Sequence, residues 1–563
     1  MNIALAMNEL MVRGKGALVA LALFLSYSHL SAQNVDINAE RVSFDMMLWE
    51  SVHGSMPVSS YSVWPQALPS IQKQLQSSPS EFATWTRDYY SPLLDSADTT
   101  MSTTFGEQYG GRFRLARYRD GFTRFAVDAS AMVRAGTYDD GDSSGHYALA
   151  RPALRATGSL FDGSLGWFLD LSNGMRLTGS PRLIAGTDPV LGRTFKFIVE
   201  EQTFFDRYVG YVQYQHEHFR IRYGREAIQY GPSPIDNFTH SLSAPLMDGL
   251  LIDVPYGPVR FTSTHSAADG TDTSGRAIPG KFIATHRLSF DPAPWISASV
   301  SDMIVYWGRG LDFSYLNPLA FFVSAGLGTE ERSRNDNSML GFDVTVRPMA
   351  GTMLYGSLII DDLSWSSLSD TSQAGNNNKF AWQLGVSQAF AVSSVKTIIT
   401  TEYVRVDPFT FSHRSINASY TALGAPVGYD IQPNSDRLAV QLRVWTSART
   451  SLRLDLDYTR NGENLLDADG NIILGEDPRF PGSGAVAPVG NVGGDILRGD
   501  GDFLVGNRFL RGNVSHMRRV NLWFSAEPFT NIFTDVRLGY RHRNGGNSPG
   551  EFLFTSFEVR IGY

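Results

Sequence analysis

The sequence has no cysteine among its 563 residues, which removes disulfides, thiol nucleophiles and cysteine-based metal sites from consideration. Nor is any apolar run long enough for a transmembrane helix, which needs about 20 residues. Positive charge is not in excess: the formal net charge is −8, so nothing points to nucleic acid as a partner. There is no acidic tail, low-complexity block or short internal repeat, and the missing repeat argues against a β-helix. No phosphate-binding loop or dinucleotide fingerprint occurs, and no cofactor is expected.

What is present begins at the N-terminus. Arg13 and Lys15 precede the apolar "ALVALALFLSY" (Ala17 to Tyr27), and "SHLSAQ" follows. A basic stretch, an apolar run of about 7–15 residues and a small residue before the cut describe a secretory signal peptide. Cleavage after Ala32 is expected, making residues 1–32 the signal and the rest an exported protein.

Residues 33–105 read as a helical segment. In "LPSIQKQLQSSPSEFATWTRDYYSPLL" (Leu68 to Leu94), prolines stand at helix starts. Ile71 and Leu75, then Phe82, Trp85 and Tyr89, have helical spacing, which predicts two short helices.

Beyond residue 106 the period changes to two. Leu438, Val440, Leu442 and Val444 alternate with Arg437, Gln441 and Arg443. Across a short turn, Leu452, Leu454, Leu456 and Tyr458 alternate with Arg453, Asp455 and Asp457. Unpaired charge is very costly in a dry core. In a wide barrel that polar face meets water and countercharges, while the apolar face meets lipid. The closing "EFLFTSFEVRIGY" fits the same scheme, with Leu553, Thr555, Phe557, Val559, Ile561 and Tyr563 on one face.

Connection lengths point the same way. Tight turns are expected near Phe161–Gly163, Glu217, Pro255–Gly257, Pro292–Pro294, Met349–Gly351, Ala391–Ser394, Ser447–Arg449 and Pro528–Asn531. Between them lie long polar stretches near 178–206, 230–246, 267–280, 307–338, 362–378, 407–433 and 462–513. Outer-membrane barrels have this asymmetry, tight in the periplasm and long outside. About nineteen strand-like runs are visible, but bacterial single-chain barrels have even numbers. Setting aside Gly111 to Arg119 leaves eighteen and keeps every long loop on one side. The expected fold is an all-β transmembrane barrel of about 18 antiparallel strands over 106–563, with the helical segment on its periplasmic side as a plug. Tyr563 would then sit at the periplasmic aromatic girdle.

Three motifs are weak. "GDSSGH" (Gly141 to His146) lacks the strand–turn–helix setting of a nucleophile elbow. "HEH" (His216 to His218) falls in a tight turn and has no partner helix. "LLDADGNIILGE" (Leu465 to Glu476) places Asp467, Asp469, Gly470 and Glu476 at positions of a calcium-binding hand, but Leu465 occupies the first position. A turn-rich acidic loop is the plainer reading. No metal site and no enzyme activity are expected.

The stretch "HFRIRYGREAIQYGPSPIDNFTHSLSAPLMDGLLID" (His218 to Asp253) resembles the Wzi family of capsule-assembly outer-membrane proteins. The resemblance rests on Gly224-Arg225, Gly231-Pro232, Ser241 and Ala244-Pro245. It continues through "HRLSF", "SDMIVYWGRGLDFSYLNPLAFF", "NDNSMLGFDV" and "LYGSLIIDD". Tyr230, Ser233 and Asp302 depart from the family pattern, where tryptophan, glycine and glutamate are usual. The resemblance implies an eighteen-stranded outer-membrane barrel, closed by N-terminal helices. It further implies a non-catalytic, lectin-like protein that anchors capsular polysaccharide or exopolysaccharide at the cell surface. A porin or substrate-selective channel is the competing expectation.

A polysaccharide presents hydroxyls and carboxylates, which guanidinium, Asp and Asn groups bind, and rings that pack on aromatic faces. "YWGRGLDFSYLNP" and "GTEERSRNDNS" supply all three, so Arg309, Tyr315, Arg332, Arg334 and Asp336 are the candidate ligand contacts, with Trp307 as a stacking platform. Asn317 and Pro318 are read as turn-shaping residues, and Arg225 as half of an ion pair inside the rim. Outer-membrane lipid and the barrel-assembly machinery, reading the C-terminal strand, complete the expected partners of a monomer.

Overall fold

Alternation of apolar and polar residues becomes a wall of eighteen antiparallel strands closed on itself. The computed structural model describes residues 36–37, 41–67, 81–89, 102–109, 112–188 apart from 121 and 162, 191, 203–271, 277–278, 280–322 apart from 319, 336–363, 378–499 and 508–562. The signal segment and Tyr563 lie outside the described residues.

The wall begins with β1 (Arg124–Asp139), β2 (Ser144–Leu160), β3 (Leu165–Thr178), β4 (Phe204–Gln215), β5 (Arg220–Glu226) and β6 (Met247–Tyr256). It continues with β7 (Val259–Ala267), β8 (Lys281–Ala293), β9 (Ile296–Trp307), β10 (Asn337–Met349), β11 (Thr352–Asp362) and β12 (Lys379–Val392). It ends with β13 (Val395–Val406), β14 (Ser435–Ser447), β15 (Thr450–Glu463), β16 (Asn513–Phe529), β17 (Ile532–Gly545) and β18 (Gly550–Gly562). Each strand pairs with the next, and β18 returns to β1 from Leu553↔Asp139 to Gly562↔Ser130.

The segment set aside from the count is a strand, but it is not part of this ring. Arg112–Arg119 forms a hairpin with Ser102–Tyr109 and, among the described residues, pairs with the start of β1, from Ala116↔Val127 to Arg119↔Arg124. It extends the sheet below the seam.

All eight expected tight turns join strands at one end. Seven long connections lie at the other, together with two short ones, 140–143 and 546–549, that break the expected alternation of length. Faces follow parity. On β18, Leu553, Phe557 and Ile561 are 45%, 52% and 58% exposed outward, while Ser556 and Glu558 are buried inward. Backbone groups are satisfied strand to strand, which permits such a wall to stand in hydrocarbon. Among the described residues no helix is long and apolar enough to cross a membrane.

Two helices, α1 (Arg41–His53) and α2 (Glu81–Tyr89), lie inside the tight-turn end. The Val58 N–H bonds the Pro294 carbonyl at 3.0 Å, and the Gly351 N–H bonds the Val52 carbonyl at 3.1 Å. Trp85 Nε1 donates to Glu527 at 3.0 Å. Phe44, Met47, Trp49, Phe82 and Trp85 pack with Met353, Ile398, Trp445 and Phe533 of the wall. Of the two predicted helices, α2 falls where Phe82 and Trp85 placed it, whereas residues 68–80 lie outside the described residues. Helix α1 was not predicted. Phe44, Met46, Met47, Leu48, Trp49 and Val52 are all buried, so its apolar residues surround it and leave no one-sided stripe to read.

The upper lumen is filled by the 227–246 and 407–434 loops. Phe238, Phe411, Tyr420 and Tyr429 pack there against Met303, Val305, Ile359 and Val404.

Candidate functional site

The Gly-Pro and Ser residues that carry the family resemblance build the inner loop. Gly231 has φ 144° and a Cβ there would stand 2.2 Å from Asn237 Oδ1, so the position needs glycine. Its N–H donates to the Ser62 carbonyl at 3.1 Å, and the Tyr61 hydroxyl bonds the Pro232 carbonyl. The Ser241 N–H donates to the Val427 carbonyl at 2.9 Å, joining the two inner loops. These contacts make residues 231–241 a keystone between the chain that follows α1 and the 407–434 loop.

Glu402 on β13 is the hub beneath that keystone. It is fully buried, and its carboxylate accepts from Ser233 Oγ at 2.5 Å, Tyr429 Oη at 2.7 Å and Tyr355 Oη at 2.8 Å. Tyr230 and Ser233, two of the departures from the family pattern, are both buried here, with Tyr230 edge-on to His240 at 5.2 Å. Burial pushes the Asp236 carboxyl up to about 6 despite its hydrogen bond from Ser241. Burial, with the nearby Arg287 charge, pulls His240 down to about 3. The signal for Glu402 in the sequence was only an acid in a row with Ile398, Thr400 and Val404 on the inward face of β13.

Arg309, Tyr315 and Asp336 are brought together. Arg309 donates to both Asp336 oxygens at 2.7 and 2.6 Å and to Asp312 at 3.2 Å. Tyr315 Oη donates to Asp336 at 2.6 Å, and the Arg309 guanidinium lies 4.6 Å from the Tyr306 ring centroid. Burial opposes the charge on Arg309, but the Asp336 hydrogen bonds and charge outweigh it and hold its pKa above the ordinary value. Burial and the same acid raise Tyr315 as well. The guanidinium is therefore already neutralised by carboxylates.

This cluster lies on the outer surface of the wall, not in its mouth. On β8 and β9, Leu288 and Val300 face outward and are exposed, and Ala284, His286, Asp302, Ile304 and Tyr306 share their parity. Those five are buried because the segment from Asp312 to Phe322 folds back over them. Asp302 accepts the Phe322 N–H at 2.6 Å, His286 Nδ1 bonds the Ala320 carbonyl at 3.2 Å, and Tyr306 Oη accepts the Asp312 N–H at 3.0 Å. Asn317 closes a turn by accepting the Ala320 N–H at 3.0 Å, with Pro318 inside that turn. Leu311, Phe313 and Phe321 are exposed on this clasp.

Arg225 pairs with Asp248, its Nε 3.1 Å from Asp248 Oδ2, and lies over the Tyr208 ring at 4.4 Å. The pair was expected inside the rim, but it sits on the outward face, since Arg220 and Arg222 take the inward parity. Gly224 lets β4 approach, a Cβ there standing 2.4 Å from Tyr211 Cα. Trp307 ends β9 on the inward face, half-buried. Arg332 and Arg334 lie outside the described residues.

The weak motifs fold as turns. Asp140 Oδ1 accepts the Ser143 N–H at 2.7 Å within the four-residue β1–β2 turn. His216 and Phe219 close the β4–β5 turn at 2.8 Å. Asp467 Oδ1 accepts the N–H groups of Asp469 at 3.0 Å and Asn471 at 2.9 Å. Among the described residues no group of three or more His, Cys, Asp or Glu is placed to hold a metal ion.

Comparison with known proteins adds the family. The capsule assembly protein Wzi family matches residues 96–489. Wzi of Escherichia coli, an outer-membrane protein involved in group 1 capsule assembly and a carbohydrate-binding β-barrel, has a similar structure. Its TM-score is 0.56 at 14% identity, covering 94% of this chain and 99% of that one. OprD of Pseudomonas aeruginosa reaches a TM-score of 0.42 at 11% identity, covering 78% and 95%. A BenF-like porin of Pseudomonas fluorescens Pf-5 also reaches 0.42, at 10% identity, covering 78% and 99%. No curated protein sequence matches the chain. With the matched span exceeding half its length, the chain belongs to the capsule assembly protein Wzi family and is an outer-membrane β-barrel.

Proposed function

We propose that this barrel binds exported capsular polysaccharide or exopolysaccharide at the cell surface and holds it there without chemical change. The carrying observation is the filled lumen: α1 and α2 occupy the tight-turn end, and the 227–246 and 407–434 loops pack above them. A barrel stoppered by its own core has exchanged transport for a rigid platform. Carbohydrate binding by the similar barrel of Escherichia coli supports the same reading. The tight-turn end faces the periplasm, the long loops face outward, and β18 carries the features read by the assembly machinery.

A second reading, a substrate-selective channel in a monomeric barrel, draws on one observation. Inward-facing Arg453, Arg519 and Arg537 have side chains 28%, 27% and 27% exposed, so part of the lumen is wet. Two measurements separate the readings. Deleting the gene should leave polysaccharide synthesis intact and release polymer into the medium, whereas unchanged retention would remove the anchoring role. Purified protein in planar bilayers should conduct poorly, and a large steady conductance would favour the channel.

A further inference from the structure

The lumen is not filled evenly. On one side the inward residues Met303, Val305, Ile359, Gln383 and Glu402 are 0% exposed. On β15, β16 and β17 the inward Arg453, Arg519 and Arg537 keep about a quarter of their side-chain surface in internal solvent. Strand register sets these residues in rows. Arg453, Trp523 and Arg537 are direct neighbours across the three strands, with Ser451, Ser525 and Asp535 one row toward the periplasm. Two rows toward the outside come Asp457, Arg519 and Arg541.

The lower rows line a cavity of about 500 Å³, closed on its other side by Phe44 and Asp45 of α1 and by Asp236. That volume falls within the roughly 300–1,000 Å³ of small-ligand sites. Trp523 stands between two guanidiniums, Arg453 at 4.2 Å and Arg537 at 5.3 Å from its ring centroid. Stacking covers the flat faces of these groups and leaves N–H edges to donate. With Ser451, Ser525 and Asp535, the recess offers donors and acceptors side by side, as polyhydroxylated ligands require.

Arg541 adds charge. Arg453 pairs with Asp455 at 2.7 Å, Arg519 with Asp457 at 2.9 Å, Arg537 with Asp188 at 3.5 Å, and Arg543 with Glu463. Arg541 lies between Arg519 and Arg543, packs on the Phe552 ring at 5.2 Å, and has no carboxylate partner among the described residues. An exposed guanidinium with no counterion among the described residues, flanked by two others, is a receptor for an anion. It stands four residues above Arg537 on one face of β17, about 13 Å along the strand, so a ligand reaching both must exceed one sugar.

We propose that this wet wall, from Arg541 down to the cavity beside Trp523, binds a short acidic oligosaccharide. The proposal rests on the polysaccharide reading above and locates a site inside the barrel, apart from the clasp and the outer loops. The recess would take a chain end or a loop of the polymer, with hydroxyls in the cavity and a carboxylate on Arg541.

The test uses the detergent-purified full chain and calorimetry. The probes are fragments of two to six sugars from the cell's own surface polysaccharide, native and after carboxyl reduction. Native fragments should bind wild type, and both Arg541→Gln and Arg537→Gln should weaken binding at least tenfold while the barrel stays heat-modifiable. Carboxyl-reduced fragments should bind weakly and show no further loss in Arg541→Gln. Equal affinity for native and reduced fragments would overturn the acidic assignment. Equal affinity in wild type and both variants would overturn the recess while leaving binding to the outer loops intact. Absence of any fragment binding by wild type also overturns it, whereas the anchoring reading is judged separately, by polymer retention in the deletion strain.

Discussion

The Asp45 carboxylate on α1 accepts the Trp445 indole N–H at 2.8 Å and an Arg443 N–H at 3.0 Å. One helix residue thus ties the internal stopper to β14. All three groups are buried, so Asp45→Ala would leave an unmatched guanidinium, a loss of about 3–5 kcal/mol for a broken buried pair. The variant should unfold at lower temperature in heat-modifiability gels and conduct more in bilayers, and deleting residues 33–105 should raise conductance further. Identical conductance in all three proteins would deny the stopper its role.

Glu402 gathers three hydroxyls, from Ser233, Tyr355 and Tyr429. Glu402→Ala orphans them, at about 1–3 kcal/mol for each buried group left unsatisfied. Because the loops fail before the wall does, the barrel should still insert. Protease added to whole cells should then cut within 227–246 or 407–434 faster than in wild type, and Glu402→Gln should fall between. Equal cleavage rates would mean that the loops are held by packing alone.

How much of this was legible in the sequence depends on parity. Leu438 to Val444 against Arg437 to Arg443 announced a two-faced wall, and the eight tight turns fall where the sequence placed them. The clasp left a signal that went unread: Asp302 shares a face with Val300 and Ile304, and an acid in a lipid-facing row requires a cover. Reading that row would have turned Arg309 and Asp336 from ligand contacts toward the closure of an outer segment. Helix α1 left no signal, because a helix buried on every side has no period to detect. Glu402 as a hub was equally out of reach, since its partners come from three distant segments.

Two inner-loop groups should respond to pH in opposite senses. Asp236 is raised to about 6, so the folded state holds its proton where an unfolded carboxyl has lost it. Its contribution therefore favours folding below about pH 4–6 and is lost as pH rises through 6. His240, lowered to about 3, stays neutral when folded, so its contribution is full above about 6.5 and is lost as pH falls toward 3. Relative to wild type, Asp236→Asn should lose thermal stability at pH 5 compared with pH 7. His240→Gln should do the reverse. Parallel pH profiles for wild type and both variants would contradict the assignments.

Parity on β18 makes a sharp contrast between neighbours. Phe557 is 52% exposed on the outer face and Ser556 is buried on the inner one. Phe557→Arg places a charge against hydrocarbon, at about 2–4 kcal/mol near the midplane. Ser556→Asn keeps a polar group facing the lumen. Cell fractionation should show poor outer-membrane assembly for the first and normal levels for the second. Equal levels of folded barrel would mean that this strand does not face lipid.

The outer clasp gives the last prediction, because Arg309 can be interrogated through its partner. If Arg309 touched polymer directly, Asp336→Ala would free its guanidinium and strengthen retention. The geometry predicts the opposite. Asp336 takes two Arg309 N–H groups and the Tyr315 hydroxyl, so removing either end unlocks the same segment over His286 and Asp302. Arg309→Ala and Asp336→Ala should therefore behave alike, exposing the segment from Asp312 to Phe322 to protease and lowering thermal stability. Tyr315→Phe, losing one hydrogen bond, should show a smaller effect of about 1 kcal/mol. Arg332→Ala with Arg334→Ala tests the ligand role that remains from the sequence. A single guanidinium–carboxylate contact at a protein surface gives only modest binding, because such charge pairs are screened. Many barrels along one polymer multiply that weak affinity, so loss should appear in cell-bound long chains before it appears with short fragments. Cell-bound and released polysaccharide, measured in all these variants beside protease sensitivity, separates the clasp from the ligand contacts. Stronger retention in Asp336→Ala would return Arg309 to the binding surface.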